Sequence, residues 1–297
     1  MRKRILLVTV LAGALAVVAA SASTARESRS HAVTLLAKGL SPLAGSFYEL
    51  WVIDGGRKFS AGSFNVDRSG RLVGRAGGSA RLSSPIAAAR ADELAVTIEA
   101  SPDRSRKPSG IVVLAGKVRG GRAALRFPAA LAAASGSYFL ASPTDSVVTN
   151  EMAGIWFLRE TAGGPSPSLK LPRLPAGWVY EGWGVTQGKP LSTGRFVSPR
   201  GADRTARFSG PKPGPPFPGE DFLRNLPGGV STPVNLADGS SMVVITLEPD
   251  LNGVDPTGAG PFSIKPLVAA VPDEAAEHRS LPLRRELKSV PSGNARL

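Results

Sequence analysis

Hydrophobic and polar residues alternate along most of the chain in short runs, and glycine, proline, serine or aspartate interrupts these runs about every ten residues. Runs of this length that are rich in valine, isoleucine, phenylalanine and tyrosine are typical of β-strands. The pattern predicts an all-β fold, which we interpret as two tandem immunoglobulin-like antiparallel β-sandwich domains. The predicted strands cover residues 32–37, 47–53, 58–64, 93–100, 110–118 and 122–127 in the first half, and residues 137–141, 154–160, 178–185, 190–196, 241–248 and 262–269 in the second.

One hairpin-like segment occurs twice. YELWVIDGGRKFSAGSF (residues 48–64) returns as YEGWGVTQGKPLSTGRF (residues 180–196), with the same loop length and the same Ser-x-Gly-x-Phe ending. A duplication at so long a period indicates two copies of one domain, because solenoid repeats usually have about 20 to 50 residues. The predicted structural core of the repeat consists of Tyr48, Trp51, Gly62 and Phe64 and of their counterparts Tyr180, Trp183, Gly194 and Phe196.

This duplication sets the predicted domain organisation. The first domain covers residues 26–130 and the second, diverged copy covers residues 137–271, with a short helix or a linker between them. The second copy is longer, and its extra residues are expected in the proline- and glycine-rich insert at 210–229. Residues 272–297 mix charge with proline and lack strand alternation, so we predict a disordered tail there.

The two copies share one strand face and differ on the other. Successive strand residues point to opposite faces, which places each repeated glutamate beside its tryptophan. On the opposite face the second copy has Gly182 and Gly184 in place of bulky residues. These glycines leave space either for a close neighbour, such as Phe157 or Trp178, or for a groove; we favour the neighbour. We also expect the repeated tryptophans to lie flat over the glycines of the partner strand.

The N-terminus has the three-part plan of a secretory signal. A positive end at residues 2–4 precedes the uncharged apolar run Ile5–Ala20, and small residues follow. We predict a signal peptide at residues 1–25, cleaved after Ala22 or Ala25, and hence an exported protein that is periplasmic, at the cell surface or secreted. The alternative is an uncleaved membrane tether, although the run is shorter than the about 20 residues that cross a bilayer.

Cysteine content and charge narrow the function classes. The chain has no cysteine, which excludes disulfides and thiol chemistry. Its formal net charge of +13 is spread along the sequence and clusters only in short runs such as Arg104–Lys107. A nucleic-acid role would need a concentrated basic face, so none is expected. An envelope protein or an anionic envelope polymer is the expected partner.

The first half resembles the extracytoplasmic C-terminal domain of anti-sigma-K factors. The resemblance rests on YELWVIDGGRKFSAGSF followed by AVTIEASPDRSRKPSG (residues 95–110), and it is weaker in the second copy, which departs at its two strand glycines and its insert. It implies an exported sensor-side fold. Because the predicted signal begins at Met1, the resemblance does not imply a cytoplasmic domain that sequesters a sigma factor, and we predict a non-enzymatic binding or signalling module.

Candidate catalytic residues are few. The two histidines, His31 and His278, lie at the start of the predicted mature chain and in the predicted tail, where a catalytic triad is not expected. Glu49 and Glu181 occupy equivalent positions beside tryptophans, and paired carboxylates would support the alternative of a carbohydrate-active or other hydrolytic envelope enzyme. A structural role for these glutamates is favoured.

No metal site or cofactor is predicted. Residues 248–258 resemble a calcium loop only faintly, and turn chemistry explains their aspartate, asparagine and glycine equally well. The features that the copies do not share are the better places to seek function. The possible partner-binding residues are Gly182, Gly184, Arg104, Arg106 and Lys107.

Overall fold

The computed structural model describes residues 30–103 and 105–297, and within them it is all-β with no α-helix. This confirms the predicted fold class, while the division into two immunoglobulin-like sandwiches stays a prediction. The predicted signal peptide lies outside the described residues. Within the described part of the chain, no helix is long and apolar enough to cross a membrane.

Twenty-one strands and four short 3₁₀ helices make up the described part of the chain. The strands of the first half are β1 (His31–Ala32), β2 (Thr34–Lys38), β3 (Ser46–Asp54), β4 (Arg57–Val66), β5 (Leu72–Val73), β6 (Ser83–Ser84), β7 (Glu93–Ala100), β8 (Val112–Arg119) and β9 (Arg122–Arg126). Those that follow are β10 (Ser137–Leu140), β11 (Gly154–Trp156), β12 (Leu158–Arg159), β13 (Ser166–Pro167), β14 (Trp178–Thr186), β15 (Lys189–Phe196), β16 (Gly219–Asp221), β17 (Met242–Pro249), β18 (Leu267–Ala270), β19 (Leu281–Pro282), β20 (Arg284–Arg285) and β21 (Ser292–Arg296). The 3₁₀ helices are Ala88–Arg90, Leu131–Ala133, Glu151–Ala153 and Leu287–Ser289.

An eight-stranded sheet, here called the N-terminal sheet, has the strand order β2-β21-β9-β8-β7-β3-β4-β5. Its β8–β9 hairpin turns at Gly120 and Gly121, which both have positive φ, a conformation that glycine adopts readily. A five-stranded sheet, the C-terminal sheet, has the order β15-β14-β17-β18-β20. A smaller sheet of order β16-β11-β10-β19 packs beside it.

The repeated hairpins pair identically. Tyr48 faces Phe64 across β3 and β4, and Tyr180 faces Phe196 across β14 and β15. Each hairpin shifts register one residue before its tryptophan, and each tyrosine ring stacks on its phenylalanine at 5.5 and 5.8 Å between ring centroids. The two sequence copies therefore form the same local structure, including the irregularity.

One continuous hydrophobic core contains residues of both halves, so the halves are packed together. Trp178 of β14 lies at their junction. Its ring meets Phe127 edge-on at 5.1 Å, and its Nε1 donates a hydrogen bond to the carbonyl oxygen of Val112 at 3.0 Å. The segment between the halves, which we expected to be a short helix or a linker, contains the 3₁₀ helix Leu131–Ala133.

The prediction of a disordered tail is wrong. Residues 292–296 form β21, which pairs with β2 on one side and with β9 on the other. The inward-facing residues of this strand are Gly293 and Ala295, which are too small to give the apolar alternation by which strands are recognised. The N-terminal sheet therefore extends beyond the predicted first domain at residues 26–130, since it includes residues 292–296.

The insert at 210–229 is more ordered than its prolines suggest. Residues Gly219–Asp221 follow Pro218 directly and form β16, which pairs with β11. Prolines prevent ladder hydrogen bonds only where they stand, so a strand of three residues fits between Pro218 and Pro227. Phe217 joins Trp156 and Phe139 in a small separate hydrophobic cluster that holds the insert in place.

Candidate functional site

A chain of buried hydrogen bonds runs across the first copy of the repeat. The indole Nε1 of Trp51 donates to Oγ1 of Thr97 at 2.9 Å, and that hydroxyl donates to the carboxylate of Glu99. The backbone N–H of Ser109 donates to both oxygens of the same carboxylate, at 3.1 and 3.0 Å. The network thereby ties the β3 and β7 strands to the loop that leads into β8.

The second copy has the same chain of bonds. Trp183 donates to Thr246 at 2.8 Å, Thr246 donates to Glu248, and the backbone N–H of Phe262 donates to Glu248 at 2.9 Å. Burial raises the pKa of Glu248 to about 8, against the lowering effect of these hydrogen bonds. Burial likewise raises the pKa of Glu99. Both carboxyls are fully enclosed and hold a loop against the sheet.

The glutamates of the repeat are bonded within their own hairpins. Ser60 donates to Glu49, and Ser192 donates to Glu181 at 2.5 Å. In the second copy Arg195 adds a buried ion pair with Glu181 at 2.8 Å. The position facing Glu49 carries Ser63 instead of an arginine. Because Glu49 and Glu181 lie in different sheets, the structure does not bring them together as a catalytic pair.

The predicted partner-binding glycines are buried, so that interpretation of Gly182 and Gly184 is wrong. A Cβ atom at Gly182 would come within 2.6 Å of the ring of Phe157, and one at Gly184 within 2.7 Å of the ring of Phe222. Phe157 is the neighbour expected from the sequence. Trp178 is not, since it packs at the junction between the halves.

The expectation that tryptophans cover the hairpin glycines is also wrong. Gly62 and Gly194 have φ of 121° and 110°, a conformation that favours glycine. The side chains nearest to their Cβ positions are those of Leu82 and Asp203 respectively. Trp51 and Trp183 are themselves buried, on the sheet face opposite Tyr48 and Tyr180. Each glycine is therefore required by the bulge of its hairpin.

The run Arg104–Lys107, here called the basic turn, contains three of the predicted partner-binding residues. Arg106 and Lys107 lie in the loop between β7 and β8, and both are exposed. Arg104 lies outside the described residues. The backbone of this loop is held by Ser105, whose hydroxyl accepts a hydrogen bond from the N–H of Lys107 at 3.0 Å. The two side chains remain available for contacts with a partner.

A cavity of about 340 Å³ lies beside the insert and is lined by Asp203, Ser209 and Trp156, among others. Burial raises the pKa of Asp203 to about 7, helped by the charge of Glu220, although the N–H groups of Gly219 and Thr205 act against it. The pKa of Glu220 is raised by burial to about 7 as well, although Ser209 donates a hydrogen bond to it. Two carboxyls that titrate near neutrality are the strongest candidate for acid–base chemistry in the described part of the chain.

Sequence reasoning missed this pair. Asp203 follows the β15 strand in an irregular loop, whereas Glu220 stands within the insert. Neither belongs to a repeated motif. The sequence offers one indication: the insert is absent from the first copy, and segments that the copies do not share are the better places to seek function. This indication selects the insert but not its acidic residues.

The remaining candidates have structural partners. His278 lies 3.4 Å from Glu151 and is exposed, while His31 is in the short β1 strand. In the calcium-like loop, Asp255 pairs with Arg195 at 2.9 Å and Asp250 with Arg204 at 3.3 Å. Across residues 30–103 and 105–297, no three histidine, aspartate or glutamate side chains converge in a way that would hold a metal ion.

Residues 5–112 match the family described as anti-sigma-K factor RskA, C-terminal. The match includes the apolar N-terminal run and ends where β8 begins, so it covers the first copy of the repeat with its Trp51 network. The N-terminal part of the chain is therefore similar to the C-terminal domain of anti-sigma-K factors. No curated protein and no solved structure matches the chain significantly.

Proposed function

We propose that this chain is an exported, non-enzymatic envelope protein in which two copies of an RskA-type C-terminal domain form a binding or signalling module. The observation that carries the proposal is the tryptophan–threonine–glutamate network, which has the same donors and acceptors in both halves. Matching register shifts and tyrosine–phenylalanine stacks support a duplication of the whole unit.

The carboxylates of the repeat support a structural role. Glu99 and Glu248 each accept a backbone N–H from a loop, and Glu181 is neutralised by Arg195. A carboxylate in such a setting orients the backbone, and catalysis would break the bonds that hold the loop. The face that the two copies share is thus a scaffold that presents its loops, including the basic turn at Arg106 and Lys107, to an envelope protein or an anionic envelope polymer.

Export is the part of the proposal that is tested first. We expect the protein to fractionate outside the cytoplasm and to begin at Ser23 or Arg26, because the signal-like run ends in small residues. Fractionation of the native host measures the location, and N-terminal sequencing of the protein recovered from that fraction measures the cleavage site. A chain that retains Met1 in the membrane fraction would be a tethered module, whereas a cytoplasmic chain would contradict the proposal.

A hydrolytic enzyme is the second candidate, and one observation favours it. Asp203, whose pKa burial raises to about 7, lines the cavity, and the fully buried Glu220, whose pKa is also about 7, accepts a hydrogen bond from Ser209 of the cavity wall. Glycoside hydrolysis needs one protonated and one ionised carboxyl, and two carboxyls with a pKa of about 7 are each partly protonated at neutral pH. Under the leading proposal, the purified protein has no turnover on polysaccharide or peptidoglycan. Turnover that Asp203→Asn abolishes, and that Glu160→Gln at an exposed position leaves intact, would establish the enzyme instead.

A further inference from the structure

Three arginines lie side by side on the outer face of the N-terminal sheet. Arg119 of β8 is directly opposite Arg122 of β9, and Arg122 is directly opposite Arg296 of β21. Neighbouring strands are about 4.8 Å apart, so the row places three guanidinium groups within the reach of one small anionic surface. All three side chains are exposed. We call this set the arginine row.

The arginine row has no counter-charge from the described residues. None of its members forms a salt bridge there, whereas the nearby Lys117 is paired with Glu93 at 3.2 Å. Like charges directly opposite each other destabilise a sheet. An anion bound across the row would remove that repulsion, and the charge complementarity would favour binding.

The row borders a groove of about 830 Å³ on the same face. Small side chains such as Ala124 and Asn294 form its floor, and Leu36 of β2 stands among the cations with 68% of its surface exposed. A row of cations beside an exposed apolar side chain matches the boundary of a bilayer, where phosphate groups lie just above the hydrocarbon.

The β2 edge of the groove follows closely after the apolar N-terminal run in the sequence, which also favours a bilayer surface as the ligand. Only a short stretch separates Ala20, the end of the apolar run, from Thr34 at the start of β2, and a chain of that length spans at most about 50 Å. The β2 strand forms one edge of the groove. Retention of the apolar run in a membrane would keep this face within that distance of the lipid surface, whereas a cleaved chain would bind the surface through the charge of the arginine row.

We propose that the arginine row binds the phosphate headgroups of an anionic bilayer, with Leu36 entering the interfacial layer. This inference deepens the proposed function and rests on it for the location of the protein. The basic turn at Arg106 and Lys107 lies in a different loop and is left free for another partner.

The absence of cysteine makes a direct test possible. A Leu36→Cys variant carries one thiol, which can be labelled with an environment-sensitive fluorophore. We expect its emission to shift to shorter wavelength with vesicles that contain phosphatidylglycerol, but not with pure phosphatidylcholine, and high salt should reverse the shift. A label at Val148→Cys, an exposed position in the second half, should not respond.

Charge-reversed variants identify the groups responsible. In the labelled chain, reversing all three arginines of the row to glutamate should weaken vesicle binding by about 100-fold or more, because each basic residue near an anionic surface adds several-fold to binding. Reversing Arg68, Arg81 and Arg279 to glutamate makes the same change in net charge on other exposed positions and should weaken binding much less. Replacing the row by glutamine provides a milder variant should the reversed one fail to fold.

Three results would overturn the inference. One is an equal loss of vesicle binding in both charge-reversed variants, which would show that binding depends on the net charge of the protein and not on the arginine row. Another is a fluorescence response to soluble polyphosphate with none to vesicles, which would make the ligand an anionic polymer. The third is a label at Leu36→Cys whose fluorescence responds neither to vesicles nor to polyphosphate. A cytoplasmic location with an intact vesicle response would instead contradict only the proposed export.

Discussion

At the residue scale, the decisive groups are the threonines of the two networks. Thr97 and Thr246 each accept a hydrogen bond from a buried indole and donate one to a buried carboxyl. A hydroxyl is the one small side chain that can do both at once, since it has a donor and an acceptor on the same atom. Neither tryptophan has another polar group bonded to its Nε1 among the described residues, so each threonine is the only link between its tryptophan and its glutamate.

Thr246→Val tests this link, because it keeps the shape of the side chain and removes the hydroxyl. The indole N–H of Trp183 and the carboxyl of Glu248 both lose a buried partner, so we expect the free energy of unfolding to fall by about 1–3 kcal/mol. Urea unfolding followed by tryptophan fluorescence measures the change.

The matched control for this substitution is Thr34→Val, an exposed strand threonine, which should change stability by less than about 0.5 kcal/mol. Thr97→Val in the first copy should resemble Thr246→Val. Equal values for Thr34→Val and Thr246→Val would show that the networks do not support the sheets.

Part of this network was accessible from the sequence. The predicted strands 93–100 and 241–248 contain Thr97 with Glu99 and Thr246 with Glu248, and the alternation rule places each threonine and its glutamate on one face. The hydrogen bond between tryptophan and threonine was not accessible, because it depends on the register between β3 and β7, which come from separate parts of the chain. The role of Gly62 was missed because a bulge sets its φ, and bulges leave no periodic signal.

At the element scale, the insert distinguishes the second copy from the first. It adds β16 to the small sheet and brings in Glu220, whose side chain is fully buried. One of its carboxylate oxygens accepts from Ser209, and the other has no hydrogen-bond partner among the described residues. Burial in this position favours the protonated form of the carboxyl, so we expect the stability of the insert to depend on pH.

The stability of the protein should therefore fall as the pH rises. A carboxyl whose pKa is about 4 when unfolded and about 7 when folded contributes stability at low pH, which is lost as the pH increases through that interval. Glu220→Gln removes the titration, so the loss of stability between about pH 5 and pH 8 should be about 1–3 kcal/mol smaller than in the wild type.

Urea unfolding at several pH values measures this difference, with Glu160→Gln at an exposed position as the matched control. The control should keep the pH profile of the wild type. A Glu220→Gln profile parallel to that of the wild type would mean that Glu220 is ionised in the folded protein at neutral pH.

At the scale of the whole molecule, the N-terminal sheet is built from both ends of the described chain. The long strands were predicted from their alternation to within two residues at most ends, and β7 was predicted with its observed bounds. The β21 strand was not, because three of its five residues face outward and the two that face inward are glycine and alanine. Its place is fixed by backbone hydrogen bonds to two neighbours, which composition does not encode.

Neighbouring residues of β21 test its place in the sheet. Ala295 is buried and Asn294 is exposed on the outer face. Ala295→Asp would bury an unpaired charge, so it should lower the free energy of unfolding by more than about 3 kcal/mol, whereas Asn294→Asp should change it by less than about 1 kcal/mol. Thermal unfolding compares the two. Equal stability of the two variants would contradict the pairing of β21 and support the disordered tail predicted from the sequence.

The insertion of β21 between β2 and β9 also orders events in time. During synthesis β2 and β9 emerge early, but β21, which joins them, is the last of the described strands to be made, so β2 stays separate from the rest of the N-terminal sheet until residues 292–296 are translated. Contacts between such distant residues form slowly. The second half, whose strands lie within a shorter span, can fold first and serve as the surface on which the earlier half closes.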